Sequence, residues 1–341
     1  MAGKNGLIVV TGGGGFIGGW LVRHFLEQGH TNIRSVDIKP LDEWYQVHDG
    51  VDNVVADLKD LGNCRRACAG AADVYQLAAD MGGMGFIENN KALCMLSVLI
   101  NTHMLLAAKD AGVKRFFYSS SACVYNADKQ KSEDVVPLKE EDAYPAMPED
   151  GYGWEKLFSE RMCRHFREDF GVYTRVARFH NVYGPYGTWD GGREKAPAAI
   201  CRKVIHAKAT GKHEIEIWGD GHQTRSFMYI DDCIKGIRMF MDGDCVEPLN
   251  LGSNELVTIN GLVDIVENIA GVKLKRKYNL NAPKGVNGRN SDNTLIKKHF
   301  GWEPGIRLRE GMRKTYDWIV GEYNRQHGTS VPTSDAAHAR A

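Results

Sequence analysis

The stretch GLIVVTGGGGFIG, residues 6–18, decides the fold of this chain of 341 residues. Its first part, Leu7 to Val10, is apolar and rich in β-branched residues, as buried strands are. Four glycines follow, and apolar residues from Phe16 onward then recur at helical spacing. A strand, a glycine turn and a helix in this order predict the first βαβ unit of a nucleotide-binding fold.

The glycines of this turn predict how it holds a dinucleotide. Gly12, Gly15 and Gly18 allow a tight turn, a close approach of the backbone to a pyrophosphate, and close packing of the helix on the strand. The next predicted strand, residues 32–36, ends at Asp37. A carboxylate there can bind both ribose hydroxyls and repels a 2′-phosphate, so we predict NAD rather than NADP as the cofactor.

Strands and helices alternate through the first half of the chain, which predicts an α/β fold with a doubly wound parallel sheet of the Rossmann type. We expect a Rossmann domain over residues 1–178, with a later contribution from about 218–245. Residues 179–327 would form mainly a smaller C-terminal substrate-binding domain. The small and polar residues 328–341 predict a disordered tail.

Composition excludes several classes of partner. Lys plus Arg and Asp plus Glu both number 43, so no surface for nucleic acid or anionic membrane is indicated. The eight cysteines form no C-x-x-C pair and no Cys/His metal spacing, which predicts reduced thiols and no structural metal. The chain enters a strand directly and shows no long apolar run, so we expect a cytoplasmic protein without membrane association.

A redox centre is predicted where a serine-bearing strand end, residues 119–121, precedes Tyr152 and Lys156. Residues four apart share one helix face, and an ammonium beside a phenol lowers its pKa from the usual value of about 10. Ser120 or Ser121 could share the proton that Tyr152 takes from a hydroxyl. The predicted cofactor site comprises Gly12, Gly15, Phe16, Ile17, Gly18, Asp37, Asp57, Leu58, Leu77, Ala78, Ala79, Ser119, Tyr152 and Lys156.

Together with the segment RSFMYIDD, residues 225–232, these motifs resemble the extended short-chain dehydrogenase/reductases that act on nucleotide sugars. The resemblance covers residues 6–325. It implies NAD that is retained through turnover and a smaller domain that closes over a nucleoside-diphosphate sugar. It also implies a homodimer formed through helices around residues 95–111 and 152–169.

Five further segments resemble the GDP-mannose 3,5-epimerases of that family: residues 79–87, 121–123, 178–185, 187–197 and 288–293. The resemblance implies that Cys123 and Lys195 act as a base–acid pair, beside Tyr152, Lys156 and Ser121. Such chemistry suits the residue types, because a ketone at C4 acidifies the hydrogens on C3 and C5. Inversion then needs a base and an acid on opposite faces, and a thiolate and an ammonium stabilise one another.

A GDP-hexose needs local cations in a neutral protein, and Arg225, Lys203 and Arg289 are the candidates. His180 is as consistent with a core histidine as with a ligand contact. The predicted substrate site comprises Gly82, Gly83, Ser121, Ala122, Cys123, Asn181, Glu194, Lys195, Ala196, Lys203, Gln223, Thr224, Arg225 and Arg289.

Three other functions use the same fold. A 4,6-dehydratase would want an acid pair, typically Thr-Asp-Glu, where this chain has Ser121-Ala122-Cys123, so elimination is disfavoured. A simple 4-epimerase needs no Cys/Lys pair and is the main alternative. A non-catalytic NAD sensor typically loses the tyrosine or the lysine, and both are present here.

Overall fold

The structure is a computed structural model that describes residues 6–335. The glycine turn and the alternating apolar segments produce strands joined by helices. The strands are β1 Leu7–Thr11, β2 Ile33–Asp37, β3 Asp52–Val55, β4 Ala71–Gln76, β5 Arg115–Ser121, β6 Tyr173–Phe179, β7 Val182–Tyr183, β8 Glu214–Trp218, β9 Thr224–Ser226, β10 Met228–Tyr229, β11 Leu249–Leu251, β12 Leu256–Thr258, β13 Lys275–Asn279 and β14 Gly288–Arg289.

The helices cover both faces of the main sheet and build most of the second half. They are α1 Phe16–Glu27, α2 Leu61–Cys68, α3 Met84–Asn89, α4 Lys91–Met95, α5 Ser97–Asp110, α6 Asp150–Phe170, α7 Ala196–Thr210, α8 Ile230–Asp242, α9 Ile259–Ala270, α10 Thr294–Phe300 and α11 Leu308–His327. Several end at a glycine with a left-handed backbone, as Gly171 does after α6 and Gly211 after α7.

The main sheet has seven strands in the order β11-β6-β5-β4-β1-β2-β3. Every neighbouring pair is parallel. The strand order reverses between β1 and β4, and open α/β sheets bind ligands in the crevice at the carboxyl ends of the strands at such a point. The predicted doubly wound α/β fold is confirmed.

The second half of the chain contributes to both parts of the molecule. Helix α8 packs on α1, β5 and β6, and β11 extends the main sheet beside β6. Smaller sheets, β12-β9-β14 and β13-β8, and helices α7, α9 and α11 form the remainder. One apolar core runs without a break from Val10 and Phe25 to Val204 and Val266. The division into two domains stays a prediction, and the segment that returns to the main sheet begins at Ile230.

The first residues after α11 differ from the expected tail. Val331 and Ser334 are buried. The Ser334 backbone N–H and hydroxyl donate to the two carboxylate oxygens of Asp317, at 2.7 and 2.8 Å. The Val331 N–H donates to the Asn324 side chain at 2.9 Å. Residues 329–335 therefore pack against α11, and the rest of the predicted tail lies outside the described residues.

Within residues 6–335, the helical segment 91–110 is long and apolar enough to meet the length and hydropathy of a membrane span, which the sequence analysis did not expect. Core helices meet the same criterion. Ile100, Met104 and Leu105 of this segment are buried, and α5 packs on α2 and α6. Packing inside the fold therefore accounts for much of its apolar character.

Candidate active site

A cavity of ≈340 Å³ lies at the carboxyl ends of the central strands, where the strand order reverses. Every residue of the predicted cofactor site lines it: Gly12, Gly15, Phe16, Ile17, Gly18, Asp37, Asp57, Leu58, Leu77, Ala78, Ala79, Ser119, Tyr152 and Lys156. Sequence reasoning missed lining residues from later in the chain, among them Tyr183, Gly184 and Thr188. The segment around Tyr183 was noted only for its resemblance, although its place directly after β6 is a usable signal.

The glycine turn leaves room that side chains would fill. Gly12 has a left-handed backbone, φ 69°. A Cβ at Gly18 would lie 2.1 Å from the Gly12 carbonyl oxygen, so α1 can pack closely only without one. Gly15 caps α1 without a side-chain hydrogen bond, which leaves the first N–H groups of the helix free for an anion. The turn, the nearby Asp37 and the cavity therefore fit a dinucleotide.

Tyr152 and Lys156 lie on one face of α6, and both are almost completely buried. The Lys156 ammonium lies 5.5 Å from the centre of the Tyr152 ring and donates a hydrogen bond to the Ser119 carbonyl at 3.0 Å. Burial raises the pKa of Tyr152 well above its usual value, with Cys123 adding to the rise and a hydrogen bond to Ser121 opposing it. Lys156 is not among the groups that shift this pKa, and the predicted lowering, which also relies on the positive charge of NAD⁺, stays a prediction.

The structure separates the two candidate serines at the end of β5. Ser120 is 2% exposed, and its hydroxyl donates to the carboxylate of Glu160, which also pairs with Arg178. Ser121 instead hydrogen-bonds to Tyr152, although both serines line the cavity. Successive strand residues face opposite ways, and so only Ser121 can share the proton of Tyr152.

A second cavity, of ≈500 Å³, adjoins the first. Ser121, Tyr152 and Lys195 line both cavities. The predicted substrate residues that line the second cavity are Gly82, Gly83, Ser121, Ala122, Cys123, Asn181, Glu194, Lys195, Ala196, Lys203, Gln223, Arg225 and Arg289. Thr224 is the exception. Its hydroxyl donates to the Glu133 carbonyl, and its predicted contact with the nucleotide stays a prediction.

Cys123 and Lys195 reach this cavity from different parts of the fold. Cys123 sits in a short helical turn after β5, and Lys195 is the residue that caps α7. Burial raises the pKa of the thiol to about 11, with Glu149 adding to the rise and Arg289 opposing it. Burial lowers the pKa of the Lys195 ammonium, and Cys123 opposes that change. The expected lowering of the thiol pKa is therefore not found.

The three cationic side chains predicted for the diphosphate differ in their hydrogen-bond and ion-pair partners. The Arg289 guanidinium pairs with Glu149 at 2.7 Å and donates to the Cys123 sulfur at 3.6 Å. Arg225 donates to the backbone carbonyls of residues 224, 284 and 286, and burial lowers its pKa to about 10. Lys203 donates to the Glu216 carbonyl at 2.9 Å. Arg225 therefore carries a charge that its hydrogen-bond partners do not neutralise.

Three other predicted contacts hold the loops of the cavity. The Glu194 carboxylate accepts hydrogen bonds from the Gly192 N–H and from Arg202, at 2.7 and 2.8 Å. Asn181 has a left-handed backbone, φ 41°, and its amide donates to the Ser226 carbonyl. The Gln223 side-chain oxygen is buried and has no hydrogen-bond partner among the described residues, so it can accept one from a ligand.

The family model described as "NAD dependent epimerase/dehydratase family" matches residues 8–252. The chain belongs to this family. Its cofactor is NAD. The chain is 45% identical over 330 residues to GDP-mannose 3,5-epimerase of Arabidopsis thaliana, which covers 95% of this chain and 84% of the relative. It is 46% identical to GDP-mannose 3,5-epimerase 1 of Oryza sativa subsp. japonica, with the same coverage of both proteins.

Solved structures agree with the fold. UDP-glucose 4-epimerase of Thermotoga maritima, solved with UDP-glucose, matches with a TM-score of 0.82 at 24% identity and covers 93% of this chain and 99% of that chain. MoeE5, solved with UDP-glucose and NAD, matches with a TM-score of 0.75 at 27% identity and covers 93% of this chain and 100% of that chain. Both therefore share the overall fold of this chain.

Proposed function

We propose that this protein is an isomerase that epimerises GDP-mannose at C3 and C5, to GDP-L-galactose and/or GDP-L-gulose, through transient oxidation at C4. The observation that carries the proposal is the common cavity of Tyr152, Cys123 and Lys195. A redox tyrosine would suffice for a 4-epimerase, but a thiol and an amine facing the same space equip the site for proton transfer at carbon.

The first cavity supports the cofactor side of this reaction. Gly12, Gly15 and Gly18 would hold the pyrophosphate, Asp37 the ribose, and Ser119, Tyr152 and Lys156 the nicotinamide end. NAD bound there supplies the acceptor and donor of the C4 hydride.

The residues at the junction of the cavities move the protons. Tyr152 takes the proton of the C4 hydroxyl through its phenol oxygen, and Ser121 shares it, while Lys156 holds the end of β5 through the Ser119 carbonyl. Cys123 and Lys195 exchange protons with C3 and C5. Because Cys123 is buried and Lys195 is half-buried, these transfers take place largely away from water, where positioned acids and bases are most effective.

The substrate is held by charge in an otherwise neutral protein. Arg225 is the best candidate for the diphosphate, because backbone carbonyls leave its charge without a carboxylate partner. Lys203 adds a second cation at the same cavity, and Gln223 offers a buried acceptor oxygen. Arg289 contributes less to the diphosphate than the sequence suggested, because Glu149 already neutralises it.

The test is to incubate the purified protein with GDP-mannose in D₂O, without added cofactor, and to analyse the sugar by mass spectrometry and NMR. Deuterium at C3 and C5 together with new GDP-hexose signals is the expected result. UDP-glucose serves as the control substrate. Inversion at C4 of either sugar without deuterium would establish a 4-epimerase instead, and no turnover of any nucleotide sugar with NAD bound would favour a sensor.

We also propose that the protein forms a homodimer through α4, α5 and α6. Met95, Leu96 and Leu99 are 39–47% exposed on the first two helices, and Trp154 and Phe158 are 45% and 51% exposed on the third. A large apolar surface of this kind is typical of an interface. Sedimentation should give a dimer for the wild type and a monomer for the double variant Trp154→Glu/Phe158→Glu. A wild-type monomer, or a dimer unaffected by both changes, would contradict the proposal.

A further inference from the structure

Glu149 is a buried carboxylate beside the second cavity that the proposed reaction leaves without a role. It is the residue that precedes α6, three positions before Tyr152, and its side chain is 12% exposed. Its carboxylate oxygen Oε2 lies 2.7 Å from Nη2 of Arg289. Its backbone N–H donates to the Cys123 carbonyl at 2.9 Å. Glu149 is therefore fixed to both the helix of the redox tyrosine and the turn of the reactive thiol.

Arg289 joins Glu149 to the thiol of Cys123. Its Nη1 donates to the Cys123 sulfur at 3.6 Å and its Nε donates to the Gln130 side chain at 2.7 Å. The thiol is also a hydrogen-bond partner of the Glu149 carboxylate. The sulfur thus lies between a carboxylate, which favours the thiol, and a guanidinium, which favours the thiolate.

The balance between these two groups favours the thiol. The pKa of Cys123 is raised to about 11, chiefly by burial. The Glu149 carboxylate adds more to this rise than the Arg289 guanidinium takes away from it. Burial also raises the pKa of Glu149, but the charge and hydrogen bond of Arg289 and the hydrogen bond of the thiol outweigh it and leave that pKa lowered. At neutral pH the carboxylate is charged and the sulfur keeps its proton.

Other elements face this cluster with groups of both signs. Arg225 on β9 and Lys195 before α7 act on the sulfur with positive charge, and Tyr152 lies beside it on α6. On the side of α3, Glu88 acts on Glu149, with Lys91 and Asp150 near it. The cations on the cavity side favour a thiolate, and burial together with the carboxylate bonded to the thiol opposes them.

We propose that Glu149 is a positioning residue that holds Cys123 as a thiol in the resting enzyme, so that Cys123 begins the reaction as the proton donor and Lys195 as the acceptor. The inference rests on the proposed function. In the step, the C–H bond next to the ketone breaks and its proton passes to the Lys195 amine, the form that burial favours by lowering the pKa of this side chain. The S–H bond of Cys123 breaks, a new C–H bond forms on the opposite face, and the negative charge comes to rest on sulfur beside Arg289.

The first experiment measures the thiol without turnover. Cys123 is alkylated with iodoacetamide at a series of pH values, and the modified peptide is quantified by mass spectrometry. In Glu149→Gln the apparent pKa of Cys123 should fall by about one unit, which is roughly tenfold faster alkylation at neutral pH. Glu149→Asp keeps the charge and should stay close to the wild type. Glu88→Gln removes a neighbouring carboxylate that is not bonded to the thiol and is the matched control.

The second experiment measures deuterium incorporation from D₂O into the sugar against pH. The alkaline limb of this profile should move to lower pH in Glu149→Gln, while C4 oxidation, followed by the absorbance of the reduced cofactor, stays at the wild-type rate. An unchanged or upward-shifted alkylation profile in Glu149→Gln, or a loss of stability with an unshifted profile, would overturn the inference. If Glu149→Gln fails to fold, a downward shift of about one unit in Glu88→Gln with none in Glu149→Asp would overturn the inference, because a carboxylate without a bond to the thiol would then control its proton.

The two experiments keep the inference separate from the proposed function. No deuterium in the wild-type product would refute the proposed function, whereas the alkylation profiles still decide whether Glu149 holds the thiol proton. Deuterium in the wild type with unshifted profiles in Glu149→Gln would refute the role of Glu149 alone.

Discussion

The two cavities meet at Tyr152 and are built in different ways. The first is shaped largely by backbone: a glycine turn, a helix N-terminus and the ends of β1, β2 and β4. The second is lined by side chains from segments scattered between residues 81 and 289, and most of its charged groups are bonded to each other. A cavity for a dinucleotide can thus be encoded in one short stretch, whereas one that tunes proton transfer needs partners from the whole chain.

The largest effect that separates the two cavities should come from Cys123→Ala. Proton transfer at carbon should fall by about 10³-fold, because a positioned acid is lost, while C4 oxidation should continue. Deuterium incorporation and the absorbance of the reduced cofactor measure the two steps. Cys94→Ala, a buried thiol of the same apolar cluster that lines neither cavity, is the control. Equal losses in both variants would mean that Cys123 serves packing only.

A smaller effect is expected when the backbone of the first cavity is disturbed. The Cβ of Gly18→Ala would meet the Gly12 carbonyl oxygen at 2.1 Å, so the turn must shift. We expect this shift to reduce the binding free energy of NAD by about 3 kcal/mol, which corresponds to roughly hundredfold weaker binding. A fluorescence titration of the cofactor would measure it. Gly321→Ala on α11, where nothing lies within 4 Å of the new Cβ, should bind NAD normally. Normal NAD binding by Gly18→Ala would show that close packing of the turn is unnecessary.

A third change tests whether charge holds the substrate in the second cavity. Arg225→Met keeps much of the side-chain volume but removes the cation, and the KM for GDP-mannose should rise about tenfold with little change in kcat. Lys203→Met should have a weaker effect, because its ammonium is partly exposed to water. Steady-state kinetics at two salt concentrations would measure both. A fall in kcat at constant KM would instead assign Arg225 to the chemical step.

The last effect is on stability rather than on catalysis, and it concerns the buried polar network behind the second cavity. His180 is fully buried, and its Nε2–H donates to Asn250 at 2.8 Å. Burial lowers the pKa of His180 to about 3, against a usual value of about 6.5. Below pH about 6.5, His180 binds a proton in the unfolded chain but not in the folded protein. The contribution of His180 to the free energy of unfolding should then fall by about 1.4 kcal/mol per pH unit until the folded pKa is reached.

Urea denaturation at several pH values, in the wild type and in His180→Gln, measures this contribution as the difference between two slopes. His24 and His48, whose pKa values burial also lowers, are present in both proteins and cancel. Identical slopes in the two proteins would show that His180 is protonated in the folded state.

The sequence analysis was most successful where a short pattern carries its own geometry. The glycine turn, Asp37 and the strand ends that follow were all placed at the first cavity, and the fold class is confirmed. The pair Tyr152 and Lys156 was found from helical spacing together with the serine-bearing strand end that precedes it. Side-chain partners were not predicted: the Thr224 hydroxyl bonds to the Glu133 carbonyl, and Arg289 is paired with Glu149.

The sequence by itself determined the βαβ start, the parallel sheet and the residue types at the site, because apolar periodicity and glycine turns act over a few residues. Only the tertiary structure decided that Ser121 rather than Ser120 meets Tyr152, and that Arg225 rather than Arg289 carries an unneutralised charge. It also decided the direction in which the pKa values of Tyr152, Cys123 and Lys195 shift. Burial and partners more than 100 residues away set these values, as Arg289 and Cys123 do for each other. No local pattern contains that information.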